Sequence, residues 1–403
     1  MSSPDKSILK FDSQVSDIAS ETWVQDQPVA SEACADPFEA TQGALHAPLD
    51  FPAMNAAIVP GDQVAIAVDP NTPQVSRVLA GVLHFLQESD AANVSVVIGD
   101  EACERTIAEI ESVVGDSAQV ELHRPSDRES LRFLGPDALG NPMYLNRWLV
   151  DADFVLPITA GRSGDLDRQH DLYGFFPAFS DAASRLRLLS PQPEARAEPA
   201  DPNEPAWALG AQLILCVTSS TTGEVADVVA GTVDSIRKWL QQTRYVSNQK
   251  SPSSLVVASL DGDHQQQTWQ NVARAAAAAA READSGGTIV LWTRLSDAPS
   301  GHLLSITEQA MVSPPPSQTL AEDEFPSWDP MLAPAETLRT LIQEYRVLLR
   351  SELSPEESEA IGIGHLQSGE ELSKLTRSFS ACKILRAASF CGSTHNWPEI
   401  AIQ

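Results

Sequence analysis

The chain has 403 residues, 42% of them apolar, and 55 acidic against 27 basic residues give a formal charge of −28. That length and apolar fraction support two or three domains with a sizeable core. The negative field repels phosphate backbones and anionic lipid, which excludes nucleic acid and acidic membranes as natural partners. The first residues, MSSPDKSILKFDSQ, carry no apolar signal segment, and no run approaches the roughly 18 apolar residues of a membrane span. Cys34, Cys103, Cys216, Cys382 and Cys391 are scattered without a CxxC pair. Neither a zinc knuckle nor a disulfide framework is therefore expected, and a reducing cytoplasm is the expected compartment.

Residues 1–45 are polar, acidic and weakly patterned, and read as a mobile tail or loosely docked arm. From Gly61 an α/β rhythm begins. VAIAV (64–68) has the length of a buried strand, and 75–89 places Val75, Val78, Leu79, Val82, Leu83 and Leu86 on one helical face. VSVVI (94–98) is a second strand, 104–114 a second helix, AQVEL (118–122) a third strand and DFVLPI (153–158) a fourth. Strands alternating with helices predict a parallel sheet covered on both faces. The segment 190–205 is rich in proline and charge and reads as an exposed loop. QLILCV (212–217) resumes the strands, 226–243 reads as a helix, and the polar run 246–253 as the linker between lobes.

A second α/β unit follows. SLVVASL (254–260) leads into DGDHQQQT, then an alanine-rich helix (269–283) and the strand TIVLWT (288–293) after the Gly286-Gly287 turn. A proline-rich loop (313–330), a helix (334–344) and the strand RVLLR (346–350) come next. Two capping boxes, beginning at Ser354 and Ser368, mark further helix starts. The expected fold is α/β, with two lobes of largely parallel sheet: a tail (1–45), a first domain (46–248) and a second (249–403).

In open parallel sheets, ligands bind beyond the carboxyl ends of the strands. Three first-lobe loops leave such ends: Asp69 to Pro73, Gly99-Asp100-Glu101, and the segment carrying Arg162, Arg168 and His170. From the second lobe comes the loop with Asp263 and His264. Asp69 before Pro70 is also an ordinary turn starter, and His264 in a polar run reads as solvated. A cleft between the lobes is the expected pocket, and no histidine spacing suggests a metal site.

The segment 145–180, LNRWLVDADFVLPITAGRSGDLDRQHDLYGFFPAFS, resembles the signature region of the nickel-pincer lactate racemase family. GDQVAIAVDPNTPQV, VVIGDEACERT, the Trp269-Gln270-Asn271-Val272-Ala273 turn and the two C-terminal helix starts are similar to further family segments. The resemblance runs from about residue 44 to 394. It implies the racemase fold, with His170 at one catalytic histidine, Glu101 at the place of the other, Asp69 at the family's aspartate, Thr72 at the place of an arginine and Gln270 at the family's glutamine; Asp69, Thr72, Arg168 and Gln270 are the candidate ligand-binding residues. In that family a lysine-tethered, nickel-carrying nucleotide takes a hydride from a 2-hydroxy acid, and two histidines exchange the hydroxyl proton.

This sequence departs from the pattern where the chemistry lies. Thr72 stands for an arginine, Ala273 for a lysine beside Arg274, and Ser180 for the anchoring lysine. No lysine occurs between Lys10 and Lys238, and no histidine between His170 and His264. The expectation is therefore a lactate-racemase-like protein without metal or cofactor, binding a small carboxylate or a nucleotide in the cleft. Two alternatives stand beside it: an active 2-hydroxy acid racemase or epimerase with a displaced or non-covalent cofactor, using Glu101 and His170 as bases, and a non-catalytic interaction protein.

Overall fold

A computed structural model describes residues 23–25, 32–89, 91–136, 140–164, 171–189, 204–243, 252–307, 326–380 and 382–391. Residues 204–205 of the expected loop (190–205) open a short helix and Ser253 of the expected linker (246–253) begins a strand, while 190–203 and 246–251 lie outside the described residues. So do 308–325 of the proline-rich segment, and Arg168 and His170.

The described residues of the stretch expected as a mobile tail or loosely docked arm touch both lobes. Strand β1 (Trp23–Gln25) pairs in parallel with the last strand of the second sheet. Helix α1 (Pro37–His46) follows, with Asp36 accepting from Phe38 N and proline in its first turn. Its buried Leu45 and Thr41 pack into the first lobe, where a side chain at Gly81 would meet Thr41 Cβ at 2.8 Å. Polar composition concealed this docking, because α1 buries only a narrow stripe.

The first sheet takes strands β2 (Gln63–Val68), β3 (Asn93–Ile98) and β4 (Gln119–Leu122), with α2 (Val75–Gln87) and α3 (Glu104–Val114) between them. After an antiparallel hairpin, β5 (Leu131–Pro136) and β6 (Pro142–Asn146), come β7 (Phe154–Ala160), β8 (Ile214–Ser219) and β9 (Val225–Gly231). The strand order is β4-β3-β2-β7-β8-β9, parallel throughout except for β8–β9. β2 and β7 are buried almost end to end, as continuous apolar runs demand, and separate apolar clusters cover the two faces.

One sequence expectation fails here. Residues 225–231 form β9, antiparallel to β8, and the helix (Val233–Thr243) starts only afterwards. VADVVAG carries valines at spacings that suit a helical face, but the ladder to β8 satisfies its backbone and buries Val225 and Ala230.

The second sheet is all parallel, in the order β1-β14-β10-β11-β12-β13. It contains β10 (Ser253–Ser259), β11 (Ala283–Trp292), β12 (Arg346–Arg350), β13 (Gly364–His365) and β14 (Cys382–Leu385). The alanine-rich helix (Trp269–Ala280) lies on one face, where small side chains let it sit close to the sheet. Ser354 and Glu357 make the full capping box, while at the next helix Ser368 accepts from Glu371 N and Glu371 reaches back to Gln367 N instead. Among the described residues no helix is long and apolar enough to cross a membrane.

Candidate functional site

Each sheet has one place where successive connections depart in opposite directions. In the first it lies between β2 and β7, in the second between β10 and β14. Loops leaving such a point splay apart and open a crevice. Here the two crevices face each other. Gln266 donates from Nε2 to the carbonyls of Asn71 (3.2 Å) and Thr72 (3.3 Å), and Thr268 Oγ1 reaches Asn71 Oδ1 at 3.3 Å. Backbones touch as well: a Cβ at Gly223 would sit 2.2 Å from Gly262 N, and both glycines hold positive φ (80° and 98°).

A cleft of about 80 Å³ lies between the lobes. Asp69 enters from the end of β2, Asp100 and Glu101 from the end of β3, and Thr159 from β7. The alanine-rich helix presents Gln270, Ala273 and Arg274, whose spacing of three and four residues puts them on one face. Thr268 fixes that helix's start by accepting from Asn271 N. Trp328 and Pro330 close one side, and Phe179 and Ile236 supply apolar wall.

The charged groups around the cleft are paired, and the Glu101–Arg274 pair crosses it. Arg162, fully buried, donates from Nη1 to Asp69 Oδ2 at 2.8 Å. Arg274 Nη2 meets Glu101 Oε2 at 2.6 Å, and Asn71 Nδ2 meets the same oxygen at 2.7 Å. Arg185 Nη1 lies 2.8 Å from both oxygens of Asp100, with Nε on Pro177 O (3.0 Å) and Nη2 on Ala178 O. The Trp328 indole donates to Asp100 Oδ2 at 2.8 Å, and the Arg185 guanidinium lies over its ring, 5.0 Å from the centroid. Burial alone pushes the Asp69 carboxyl up, but the charges of Arg162 and Arg274 outweigh it and hold the group below the usual carboxylate range.

Asp171 is anchored differently. Its buried carboxylate accepts from Tyr173 N (2.8 Å), Phe175 N (2.9 Å) and Phe176 N (3.3 Å), which shapes the turn around Gly174. Burial, with Asp171 adding to it, pushes the Tyr173 phenol up to about 12.

Of the residues expected at a site, Asp69, Glu101 and Gln270 come together in the cleft. Thr72 is fully buried and lies outside the lining. His170 and Arg168 lie outside the described residues. His264, expected in solvent, sits 2.9 Å from Glu109 Oε1 of the first lobe, while the neighbouring Gln265 donates to Glu109 Oε2 at 2.5 Å. The Asp100–Arg185–Trp328 cluster was not anticipated. Its members are 85 and 228 positions from Asp100, so no local spacing betrays them.

Ser180 lies beneath the cleft, not in it. It is fully buried, its hydroxyl donates to Pro177 O at 2.8 Å, and its carbonyl accepts from His123 Nε2 at 3.0 Å. Burial, then the Arg185 charge, pushes the His123 imidazole down to about 4.

Residues 13–162 match the family model described as the lactate racemase N-terminal domain. No curated protein matches the sequence. Among solved structures, the lactate racemase apoprotein from Thermoanaerobacterium thermosaccharolyticum superposes with a TM-score of 0.65 at 14% identity, covering 90% of this chain and 94% of that one. A structural-genomics protein from Thermotoga maritima gives a TM-score of 0.58 at 13% identity, with 88% and 97% coverage.

Proposed function

We propose that this chain, which carries the lactate racemase N-terminal domain on the fold of that enzyme, binds a small molecule in its interlobe cleft and does not perform nickel-dependent hydride transfer. The observation that carries the reading is the Glu101–Arg274 pair. Glu101 stands where the resemblance places a catalytic histidine, and Arg274 follows the position of a lysine. At 2.6 Å across the cleft, the two neutralise each other and tie the lobes together.

The residues present do not fit the tethered nickel cofactor. Ser180, at the anchoring position, is a core residue with its hydroxyl already bonded. The sequence supplies no lysine from Lys10 to Lys238, and no histidine between His170 and His264. A nucleotide phosphate needs donors that are not already matched, yet both arginines of the described lining are engaged by carboxylates. Space argues the same way. The cleft's volume of about 80 Å³ lies well below the roughly 300–1,000 Å³ of pockets for drug-sized ligands.

The test is to express the protein in a host carrying the complete nickel-pincer pathway, then measure its metal content and intact mass. The expected result is the unmodified mass of the chain without stoichiometric nickel, and no racemisation of 2-hydroxy acids. Stoichiometric nickel, or a covalent adduct of nucleotide mass, overturns the reading.

A further inference from the structure

We infer that the cleft selects an uncharged, hydrogen-bonding molecule of three or so carbons, such as a hydroxy amide or small polyol, over the corresponding 2-hydroxy carboxylate. This rests on the binding reading above and names its ligand class.

The cleft's donors and acceptors point there. Four carboxylates line it, those of Asp69, Asp100, Glu101 and Asp171, against the guanidiniums of Arg185 and Arg274. Arg162, behind Asp69, supplies a third positive charge, so negative charge still exceeds positive among the described residues. Arg185 uses Nε, Nη1 and Nη2 on Asp100 and two backbone carbonyls. Arg274 divides its contacts between Glu101 and Asn271 Oδ1. An incoming carboxylate would meet these cations already neutralised, beside like charges, in a partly desolvated space, which is unfavourable on every count.

Against this, one buried side-chain donor of the described cleft lining has no partner. Gln270 is 4% exposed and lines the cleft, and its Nε2 has no hydrogen-bond partner within the protein. A buried amide left so costs stability, and its presence on a cavity wall marks where a ligand oxygen belongs. A carbonyl or hydroxyl oxygen there accepts from Gln270. Glu101 takes both of its contacts on Oε2, so Oε1 retains capacity to accept from a ligand N–H or O–H. Phe179 and Ala273 suit the hydrocarbon remainder.

Lactamide and lactate are matched probes, equal in heavy atoms and differing in charge. Their binding is measured by saturation-transfer NMR titration at neutral pH, with wild-type protein, Gln270→Ala and the near-isosteric Gln270→Met. The expected result is lactamide binding at least tenfold tighter than lactate, weakened at least fivefold by either substitution. Lactate binding as tightly as lactamide, with the same dependence on Gln270, overturns the choice of ligand class and leaves the cleft as a binding site. If neither probe binds wild type, or binding ignores both substitutions, the inference and the binding reading fall together.

Discussion

His123 offers the sharpest quantitative test, because its neighbours dictate one protonation state. The ring is 1% exposed. Its Nε2 faces Ser180 O at 3.0 Å, an atom that only accepts, so Nε2 carries the proton. Its Nδ1 faces Asn146 Nδ2 at 3.5 Å, and that amide nitrogen only donates. Protonating Nδ1 would set two donors against each other in the core, with Arg185 adding repulsion. The folded-state pKa accordingly falls from 6.5 to about 4, with burial as the first cause. For a histidine depressed in this way, the unfolded chain takes up its proton first as pH drops. Stability is then complete above pH 6.5 and declines as pH falls from 6.5 toward about 4. At about 1.4 kcal/mol per unit, the loss is on the order of 3 kcal/mol. Urea unfolding at half-unit steps from pH 7.5 to 4.5 measures it. His123→Gln keeps an N–H for Ser180 and does not titrate, so its stability should stay nearly level across that window. A wild type that loses under about 1 kcal/mol, or a His123→Gln variant with an unchanged slope, refutes the reasoning.

Three further outcomes follow from the contacts across and beside the cleft. Glu101→Gln leaves the buried Arg274 without its carboxylate and should cost about 2 kcal/mol, whereas Arg274→Met should cost only about 1 kcal/mol because the 34%-exposed Glu101 can turn to water; equal and fully additive losses in urea unfolding would show that the two are not coupled. Gly223→Ala puts a Cβ into the backbone of Gly262 and should lower stability by roughly 3 kcal/mol while speeding amide exchange at Gly262, and unchanged exchange would deny the lobe contact. Asp171→Asn replaces one of the two acceptor oxygens by an NH2 donor, so at least one of the three backbone N–H groups loses its acceptor, and it should cost about 2 kcal/mol in thermal unfolding, with a loss near zero counting against the anchoring role.

The sheets were legible where burial leaves one reading. VAIAV and VSVVI are apolar, short and followed by amphipathic helices, and they became β2 and β3 within a residue or so. Legibility failed where two structures satisfy one pattern. VADVVAG pairs valines at helical spacing, and only its ladder to β8 decides for strand. The hairpin β5–β6 escaped because proline and glycine interrupt it and only one face is covered. At the site, Asp69 and Glu101 could be placed near one cleft because strand ends announce themselves locally, while Gln270 was named only from the family resemblance; all three line the cleft. Arg185 and Trp328 carry no such signal, since only folding brings them to Asp100.

The replacements at chemistry-bearing positions make physical sense together and not singly. A lone carboxylate in place of a histidine would leave a partly buried charge, and a lone arginine in the Trp269–Ala280 helix would do the same with the opposite sign. Glu101 and Arg274 cancel each other, with Asn71 Nδ2 also donating to Glu101 Oε2 and Arg274 Nη1 donating to Asn271 Oδ1. Asp69 with Arg162, and Asp100 with Arg185, repeat the arrangement. Of these pairs, Glu101–Arg274 crosses between the lobes, so opening the cleft exposes that one while the other two stay within the first lobe. Such a cleft is suited to holding a ligand of fixed size. On the proposed reading, it is poorly suited to a reaction in which a substrate carboxylate must find an unmatched cation and a base must exchange protons. Restoring one family residue would therefore break a pair without recovering the chemistry, since Glu101→His orphans Arg274 and leaves Ser180 in the core.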